Sequence, residues 1–481
     1  MKYLYGASVQ GIQSYIFRTN KLKKIIVASN QVESICTTIF DKYLDNSADT
    51  ELIIGAAGNI RCIFSRKQDC EKVVLNFKKE VMLSSPGITL SQAVVEYDES
   101  TPFSSVIEEL EGKLRTQRNI NCNPTLLGFI GMERSRQTGL PLIKNDKSEG
   151  TEESNMTLAR KLYGCGFDPE KIPYNIGNLT NHNNWIAVIH ADGNGLGNVV
   201  MKIGANEKEY CEFSRQLDVS TQCAAYAAFA KISTSDCKKY PIRPVILGGD
   251  DITVICRADL ALPFCNEFLS EFKRQTQSRL GNILKRNEVF EDADYLTACA
   301  GIAFIKSNYP FFYGYSLANS LCEEAKRTAK NNRPASLSTP SCIMFHKIQD
   351  SFVIDYKDIT QRELTPQEQI SWKFGPYFLP NESIEGYWTI DHLAEKTRKM
   401  DELEQSGIKA GLREWMSAMH RSEEEAYQKL NRIMEITERR SISDSKFVKS
   451  VTVAIERNGI RAYPVYDLLS INTITNQKTI K

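Results

Sequence analysis

The sequence lacks the features that commit a chain to a metal cluster, a membrane or a nucleic-acid lattice. It has no Cys-x-x-Cys pair among 13 cysteines and only five histidines, so no Cys/His cluster has zinc-site spacing. The cysteine count is odd, and Cys62, Cys256 and Cys299 sit inside apolar strand-like runs. That pattern reads as buried, reduced thiols rather than a disulfide framework. Charge of one sign is also missing. Lys and Arg number 60, Asp and Glu 59, and the net charge is +1. No global field therefore draws nucleic acid or an anionic membrane, and any anion site has to be local. Lys21–Lys24 is one basic patch within reach of RNA. Apolar runs such as Trp185–Ile189 fall far short of the ~20 residues of a membrane helix. Met1-Lys2-Tyr3-Leu4-Tyr5-Gly6 opens no signal core and no small-residue cleavage site. A cytoplasmic protein with no membrane partner is expected.

What is present is an ordinary balance, 42% hydrophobic and 25% charged over 481 residues, enough for about three or four domains. Two stretches repeat at long range. Trp185-Ile186-Ala187-Val188-Ile189-His190-Ala191-Asp192-Gly193-Asn194-Gly195-Leu196 reads as a buried strand, a tight turn and a helix start. Tyr3-Leu4-Tyr5-Gly6-Ala7-Ser8-Val9-Gln10-Gly11-Ile12 has the same shape, with Ser8 opposite Asp192, Gln10 opposite Asn194 and Gly11 opposite Gly195. Each is followed by a hairpin pattern. Ile246–Ile255 turns on Gly248-Gly249-Asp250-Asp251, and Ile54–Ile63 carries Gly58-Asn59 where the other copy has Asp250-Asp251. Amphipathic helical stretches follow, Gln68 to about Leu83 and Asp259 to about Lys285, and then strands at Gly87–Val95 and Leu296–Phe304. The order strand, helix, hairpin, helix, strand occurs twice. It predicts an α+β fold with two ferredoxin-like units, each an antiparallel sheet with helices on one face.

The expected division is a first copy over 1–110, a linker or insert over 111–181, a second copy over 182–350 and a mostly helical domain over 351–481. Thr138–Thr157 is polar and reads as a mobile loop. After about Asn332 the pattern is loop-rich, and Met400–Arg439 has apolar residues at helical spacing under a charged surface.

In a ferredoxin-like unit the first strand and the hairpin are neighbours, so Asp192 should lie beside Asp250 and Asp251. Three converging carboxylates repel one another and are stable mainly around a cation. Without His or thiolate partners they suit a hard divalent ion, Mg²⁺ or Mn²⁺. Gly248 and Gly249 have no Cβ, so a flat ligand or a phosphate chain can approach the backbone. Gly193 and Gly195 leave room at a helix start whose amides can receive phosphate oxygens. Taken together, these residues describe a nucleoside triphosphate site. A Gly-Gly-Asp-Asp turn alone is also what any hairpin uses.

These residues carry a resemblance. Gly248-Gly249-Asp250-Asp251 on a hairpin, preceded by His190-Ala191-Asp192-Gly193-Asn194-Gly195-Leu196-Gly197, resembles the palm domain of the large polymerase-like subunit of type III CRISPR effectors. It is more distantly similar to GGDEF-type diguanylate cyclases. Ala300–Lys306 with Tyr309-Pro310 and Ala318…Ala325-Lys326 looks like the closing strand and helix of that palm. Gly11-Ile12-Gln13-Ser14-Tyr15-Ile16-Phe17 looks like the opening of the family's first, degenerate palm. The likeness covers about Met1–Ser100 and Asn184–Ala329.

The resemblance implies synthesis of a cyclic or linear oligonucleotide messenger from ATP in antiviral defence, with two Mg²⁺ or Mn²⁺ ions. Asp192, the Gly193 carbonyl, Asp250 and Asp251 would hold metal. Gly195, Gly248 and Gly249 would border the nucleotide, and Lys306 and Lys326 would meet the triphosphate. Asn194 stands where the family often has a second acid, which weakens a metal role there. The first copy, with Ser8, Gly58 and Asn59 in place of acids, would bind an acceptor nucleotide without catalysing. No histidine precedes an aspartate, so the His-Asp nuclease motif of many relatives is absent. The family's zinc cysteines are absent as well, since Cys122 and Cys165 stand alone. The implied partners are nucleoside triphosphates and other CRISPR-associated subunits or RNA. The chain is short for the family's large subunit, which leaves a stand-alone relative open. A non-catalytic nucleotide-binding subunit and a homodimeric cyclic-dinucleotide synthase also remain open.

Overall fold

The first strand of each copy is apolar along most of its length, as a strand covered on both faces must be. A computed structural model describes residues 1–44, 49–85, 87–98, 100–120, 131, 133, 168–233, 238–334, 336–349, 355–403 and 407–475. The first copy runs β1 (Lys2–Gln10), α1 (Ile12–Ile16), α2 (Leu22–Ser34), β2 (Thr50–Ala56), β3 (Asn59–Phe64), α3 (Lys67–Ser84), β4 (Thr89–Tyr97) and α4 (Phe103–Asn119). The second runs β5 (Trp185–Gly193), α5 (Leu196–Ile203), α6 (Glu207–Ile232), β6 (Ile242–Gly248), β7 (Asp251–Arg257), α7 (Ala261–Arg286), β8 (Ala298–Lys306), α8 (Phe311–Asn331) and β9 (Cys342–Lys347). The remainder comprises α9 (Tyr356–Arg362), β10 (Ile370–Ser371), β11 (Tyr377–Phe378), α10 (Ile390–Glu402), α11 (Ile408–Met419), α12 (Glu423–Arg440), α13 (Ile442–Thr452), β12 (Ile455–Arg457), β13 (Ile460–Ala462) and α14 (Val465–Thr475).

The first sheet has the order β2-β3-β1-β4, and every pairing in it is antiparallel. This is the ferredoxin-like order. The second sheet repeats it as β6-β7-β5-β8 and then continues through β9 to β11. The registers coincide: Ala7 pairs with Ile60 as Ala191 pairs with Ile252.

Three features depart from the sequence reading. Helix α4 extends to Asn119, so the first copy passes residue 110. It also covers the second face of its sheet. Leu4, Ile63 and Val95 pack with Phe103, Leu110 and Leu114 in one core, while Tyr5, Cys62 and Phe64 face the larger core on the other side. The third departure is at the far edge, where β9 lies parallel to β8 and β11 joins from beyond residue 350. Cys342–Lys347 has no polar alternation because it is buried on both faces, and so it carried no strand period. The polar stretch Thr138–Thr157, Cys122 and Cys165 lie outside the described residues. All ten described cysteines are free thiols, and nine are buried. Among the described residues no helix is long and apolar enough to cross a membrane.

The copies pack directly on each other. Phe17 of the first stacks on Tyr315 of α8, with ring centroids 4.8 Å apart. Lys2 pairs with Glu207 at 2.6 Å. At Gly248, a Cβ would lie 3.0 Å from the Ala56 Cβ and 3.4 Å from the Ala57 amide nitrogen. The two hairpin turns therefore abut.

Candidate functional site

The second copy's site forms where β5 ends and the β6–β7 hairpin turns. The last pair of that hairpin is Gly248 with Asp251, which leaves Gly249 and Asp250 as the turn. Gly249 takes a left-handed φ of 65°, the region where a side chain is disfavoured. Helix α6 fixes this turn from outside. Asp218 Oδ1 accepts from the Gly249 amide at 2.9 Å, and Thr221 Oγ1 donates to the Gly249 carbonyl at 2.6 Å. Gly193 at the strand end lies against Asp250, whose Cβ would be 3.1 Å from a Cβ placed on that glycine. A side chain at Gly193 would push the hairpin off the strand.

The acids meet as the topology requires. Asp192 and Asp250 share a hydrogen bond between their carboxyl groups. Burial, then the Asp192 charge, pushes the Asp250 carboxyl well above the ordinary carboxylate range. Burial works against the Asp192 charge as well. The hydrogen bond from Asp250 and the Lys326 ammonium nevertheless hold it below its usual value. The pair thus keeps one proton, as two adjacent carboxylates do. Asp251 lies on the same face as Asp192. Its Oδ1 is 3.2 Å from His190 Nδ1, is buried, and has no hydrogen bond of good geometry. His190 is buried, also meets Thr253 Oγ1 at 3.2 Å, and stands edge-on to Tyr315.

A lysine occupies the centre of this cluster. Lys326 Nζ pairs with Asp192 Oδ2 and donates to the Gly193 carbonyl at 2.7 Å. The resemblance pointed Lys326 at a triphosphate. Here it bridges the two groups expected to ligate metal. Among the described residues no group of three or more His, Cys, Asp or Glu is arranged to hold a metal ion. The donor set still fits a hard cation: carboxylates and a backbone carbonyl already hold an ammonium, and the buried Asp251 oxygen has an unused lone pair.

Other expected residues fall differently. Lys306 does not reach the site. It pairs with Trp185 at the far end of β8, whereas Asp192 pairs with Cys299. Its ammonium donates to the Asn183 carbonyl at 2.6 Å and lies 4.1 Å from the Trp185 ring centroid. Asn194 is buried, and its Nδ2 donates to Thr297 Oγ1 at 3.0 Å, so it pins the strand end rather than facing a ligand. Gly248 gives its bare face to Ala56, not to a ligand. Gly195 and Gly249 do face open space.

The first copy holds a neutral counterpart. Ser8 pairs in register with Asn59, and its Oγ donates to Asn59 Oδ1 at 3.0 Å. Arg118 Nη2 of α4 donates to that same Ser8 oxygen at 3.2 Å. Arg118 is thus the repeat partner of Lys326. Pro102-Phe103 opens α4 as Pro310-Phe311 opens α8, and Phe103 to Arg118 spans as many residues as Phe311 to Lys326. That shared spacing was available in the sequence and would have found Arg118. Nothing comparable marked Asp218 or Thr221.

Residues 185–335 match the family model described as Cas10/Cmr2, second palm domain. No curated protein sequence matches the chain. Among solved structures, the fold matches the Csm1 (Cas10) large subunit of type III CRISPR complexes. A Csm1–Csm4 cassette in complex with pppApApA is 14% identical over 98% of this chain and 69% of that one, with a TM-score of 0.60. The apo cassette is 15% identical, with the same coverage and a TM-score of 0.58. A cassette in complex with cA4 is 14% identical over 98% of this chain and 70% of that one, with a TM-score of 0.54.

Proposed function

We propose that the second copy is a metal-dependent nucleotidyl-transfer site that joins ATP, or another nucleoside triphosphate, into a linear or cyclic oligonucleotide. The supporting observation is the convergence of Asp192, Asp250 and Asp251 beside the open backbone of Gly249. The match of residues 185–335 to a Cas10/Cmr2 second palm supports it, as does the likeness to cassettes described with pppApApA, cA4 and ATP. In this reading Asp192, the Gly193 carbonyl, Asp250 and Asp251 would hold Mg²⁺ or Mn²⁺. Bound there, the ion supplies Lewis acidity toward the attacking ribose hydroxyl and the α-phosphate.

The remaining work falls to the chain itself. Asp218 and Thr221 hold the Gly249 turn in place, and with it the backbone that carries Asp250 and Asp251. The proton that Asp250 shares with Asp192 stands where a cation would act, and holding the cation would require its release to solvent. Lys326 leaves the Asp192 carboxylate for an incoming phosphate, a short swing for a four-carbon stem. Gly249 and Gly195 leave room for the triphosphate. Arg118, which bonds the neutral Ser8 and makes no ion pair among the described residues, would hold phosphate oxygens of the acceptor nucleotide at the first copy. A Csm4-like subunit is the partner this reading implies.

The test is incubation with Mg²⁺ or Mn²⁺ and each nucleoside triphosphate, with and without candidate activating RNA, following pyrophosphate release. Release with at least one nucleotide is expected, and release with none overturns the enzyme. A second reading, a nucleotide-binding subunit without turnover, is favoured by Lys326 lying on the expected metal ligands. Metal-dependent ATP binding with no pyrophosphate would establish it.

A further inference from the structure

A cavity of about 310 Å³ lies between strand β9 and helices α11 and α14, away from Asp192, Asp250 and Asp251. In the β5–β8–β9 ladder, Asp192 pairs with Cys299, Cys299 with Cys342, and Lys347 with Phe304. At ~3.3 Å per strand residue, Lys347 therefore sits roughly 16 Å from the acid end of the sheet.

Two cations line the cavity, and one acid shares its wall. Lys347 Nζ donates to Thr473 Oγ1 at 2.7 Å and lies 4.9 Å from the Trp185 ring centroid, and Arg413 stands exposed on α11. Neither makes an ion pair among the described residues. Lys306 adds a third positive charge over the same Trp185 ring, 4.1 Å from its centroid. Burial, with Lys306 and Arg413 adding to it, brings the Lys347 ammonium down to about 8. The one acid in the wall, Glu363, lies 3.7 Å from His346 Nε2, and burial holds that imidazole neutral with a pKa of about 4. The wall therefore carries two cations against one acid. Around them stand the hydroxyls of Ser417, Ser470 and Thr473.

Two cations against one acid, with three hydroxyl side chains in the same wall, match a tetrahedral dianion better than a planar carboxylate. We propose that this cavity binds the phosphate of a small phosphomonoester, with Lys347 and Arg413 as its counter-charges. The site does not rest on the nucleotidyl-transfer reading and would survive its failure.

The test is calorimetric titration of the full chain in EDTA with inorganic phosphate, AMP and adenosine. One-to-one binding of phosphate or AMP is expected, with adenosine inert. AMP binding tighter than phosphate assigns the site to a nucleotide, and equal affinity assigns it to free phosphate. Arg413→Met should weaken binding at least tenfold, and Lys347→Met likewise, while Lys347→Arg retains it. Arg413 is exposed, so its variant stays informative if Lys347→Met fails to fold. Asp250→Ala with Asp251→Ala should bind as the parent does, which separates this site from the acids. No binding of phosphate or AMP at millimolar concentration overturns the proposal. So does adenosine binding as tightly as AMP, or Arg413→Met binding unchanged.

Discussion

The two copies place the same three parts at the same point: a strand end, a hairpin turn and a cation from the closing helix. In the first these are Ser8, Asn59 and Arg118, and in the second Asp192, Asp251 and Lys326, with Asp250 beside them. Their charge balance is opposite. The first is a guanidinium on neutral partners. The second is three acids sharing one proton and one ammonium, beside His190. Two carboxylates ~4 Å apart at an effective dielectric of ~20 repel by about 4 kcal/mol. A hydrogen bond contributes about 1 kcal/mol net, so turn geometry alone does not hold such a cluster. A proton or a cation is required in the second copy and unnecessary in the first. Both copies keep the frame, and acids at Asp192, Asp250 and Asp251 in place of Ser8, Gly58 and Asn59 set the charge balance of each.

The sharpest break in that comparison is removal of the acids. Asp250→Ala with Asp251→Ala should lower pyrophosphate release by on the order of 10³-fold or more, with melting unchanged or raised in metal-free buffer as the repulsion goes. Writing acids into the first copy as Gly58→Asp with Asn59→Asp should create no second active site, because Arg118 and not a lone lysine faces them.

Next in size is the cation. Lys326→Met leaves Asp192 and the Gly193 carbonyl without their donor, at a cost of about 1–2 kcal/mol after allowing for the half-exposed Asp192. Thermal melting in EDTA should show that loss, and Mn²⁺ should restore most of it. No gain in melting from Mn²⁺ in the variant would contradict the shared position of ammonium and metal. Arg118→Ala should leave melting unchanged, since Arg118 is exposed and bonds a neutral hydroxyl. It should weaken nucleotide binding by roughly tenfold.

The contact between the copies can be probed at Gly248. Its Cα faces Ala56 and Ala57, so Gly248→Val drives the two turns apart. Overpacking of this kind costs about 1–3 kcal/mol. Gly249→Ala meets no neighbour but is strained by its φ of 65°, and should cost less, about 1 kcal/mol. Equal losses at the two positions would show that the turns do not bear on each other.

The sequence carried the doubled strand order and the meeting of Asp192 with Asp250, because short apolar runs and hairpin glycines are local signals. It misassigned Gly248, whose missing Cβ serves a contact nearly two hundred residues away in sequence. A glycine required by a ligand and one required by a neighbouring domain look alike in one dimension. Lys306 and Lys326 looked equally suited to a phosphate. The strand register, which no local pattern states, sends one to Trp185 and the other to Asp192. β9 and β11 were missed for other reasons, since β9 is buried on both faces and shows no alternation, and β11 has two residues, too few to show any pattern.

That extended edge gives the second copy a tie the first lacks, and the tie depends on pH. Tyr377 of β11 donates to Asp467 Oδ2 at 2.6 Å, joining the sheet to α14. Burial pushes the Asp467 carboxyl up to about 7, against the opposing pull of the Tyr377 hydroxyl, the Gly375 amide and Arg457. An unfolded aspartate titrates at about 3.9. The folded protein therefore holds this proton more tightly than the unfolded chain does between those values. Stability from this group is fully present below about pH 4, declines as pH rises toward 7 and is flat above. Asp467→Asn, which mimics the protonated form, should match the parent near pH 4 and melt a few degrees higher at pH 8. Melting of the two proteins across pH 4–8 checks this. Parallel curves would mean that Asp467 is ionised throughout and that Tyr377 holds a carboxylate rather than an acid.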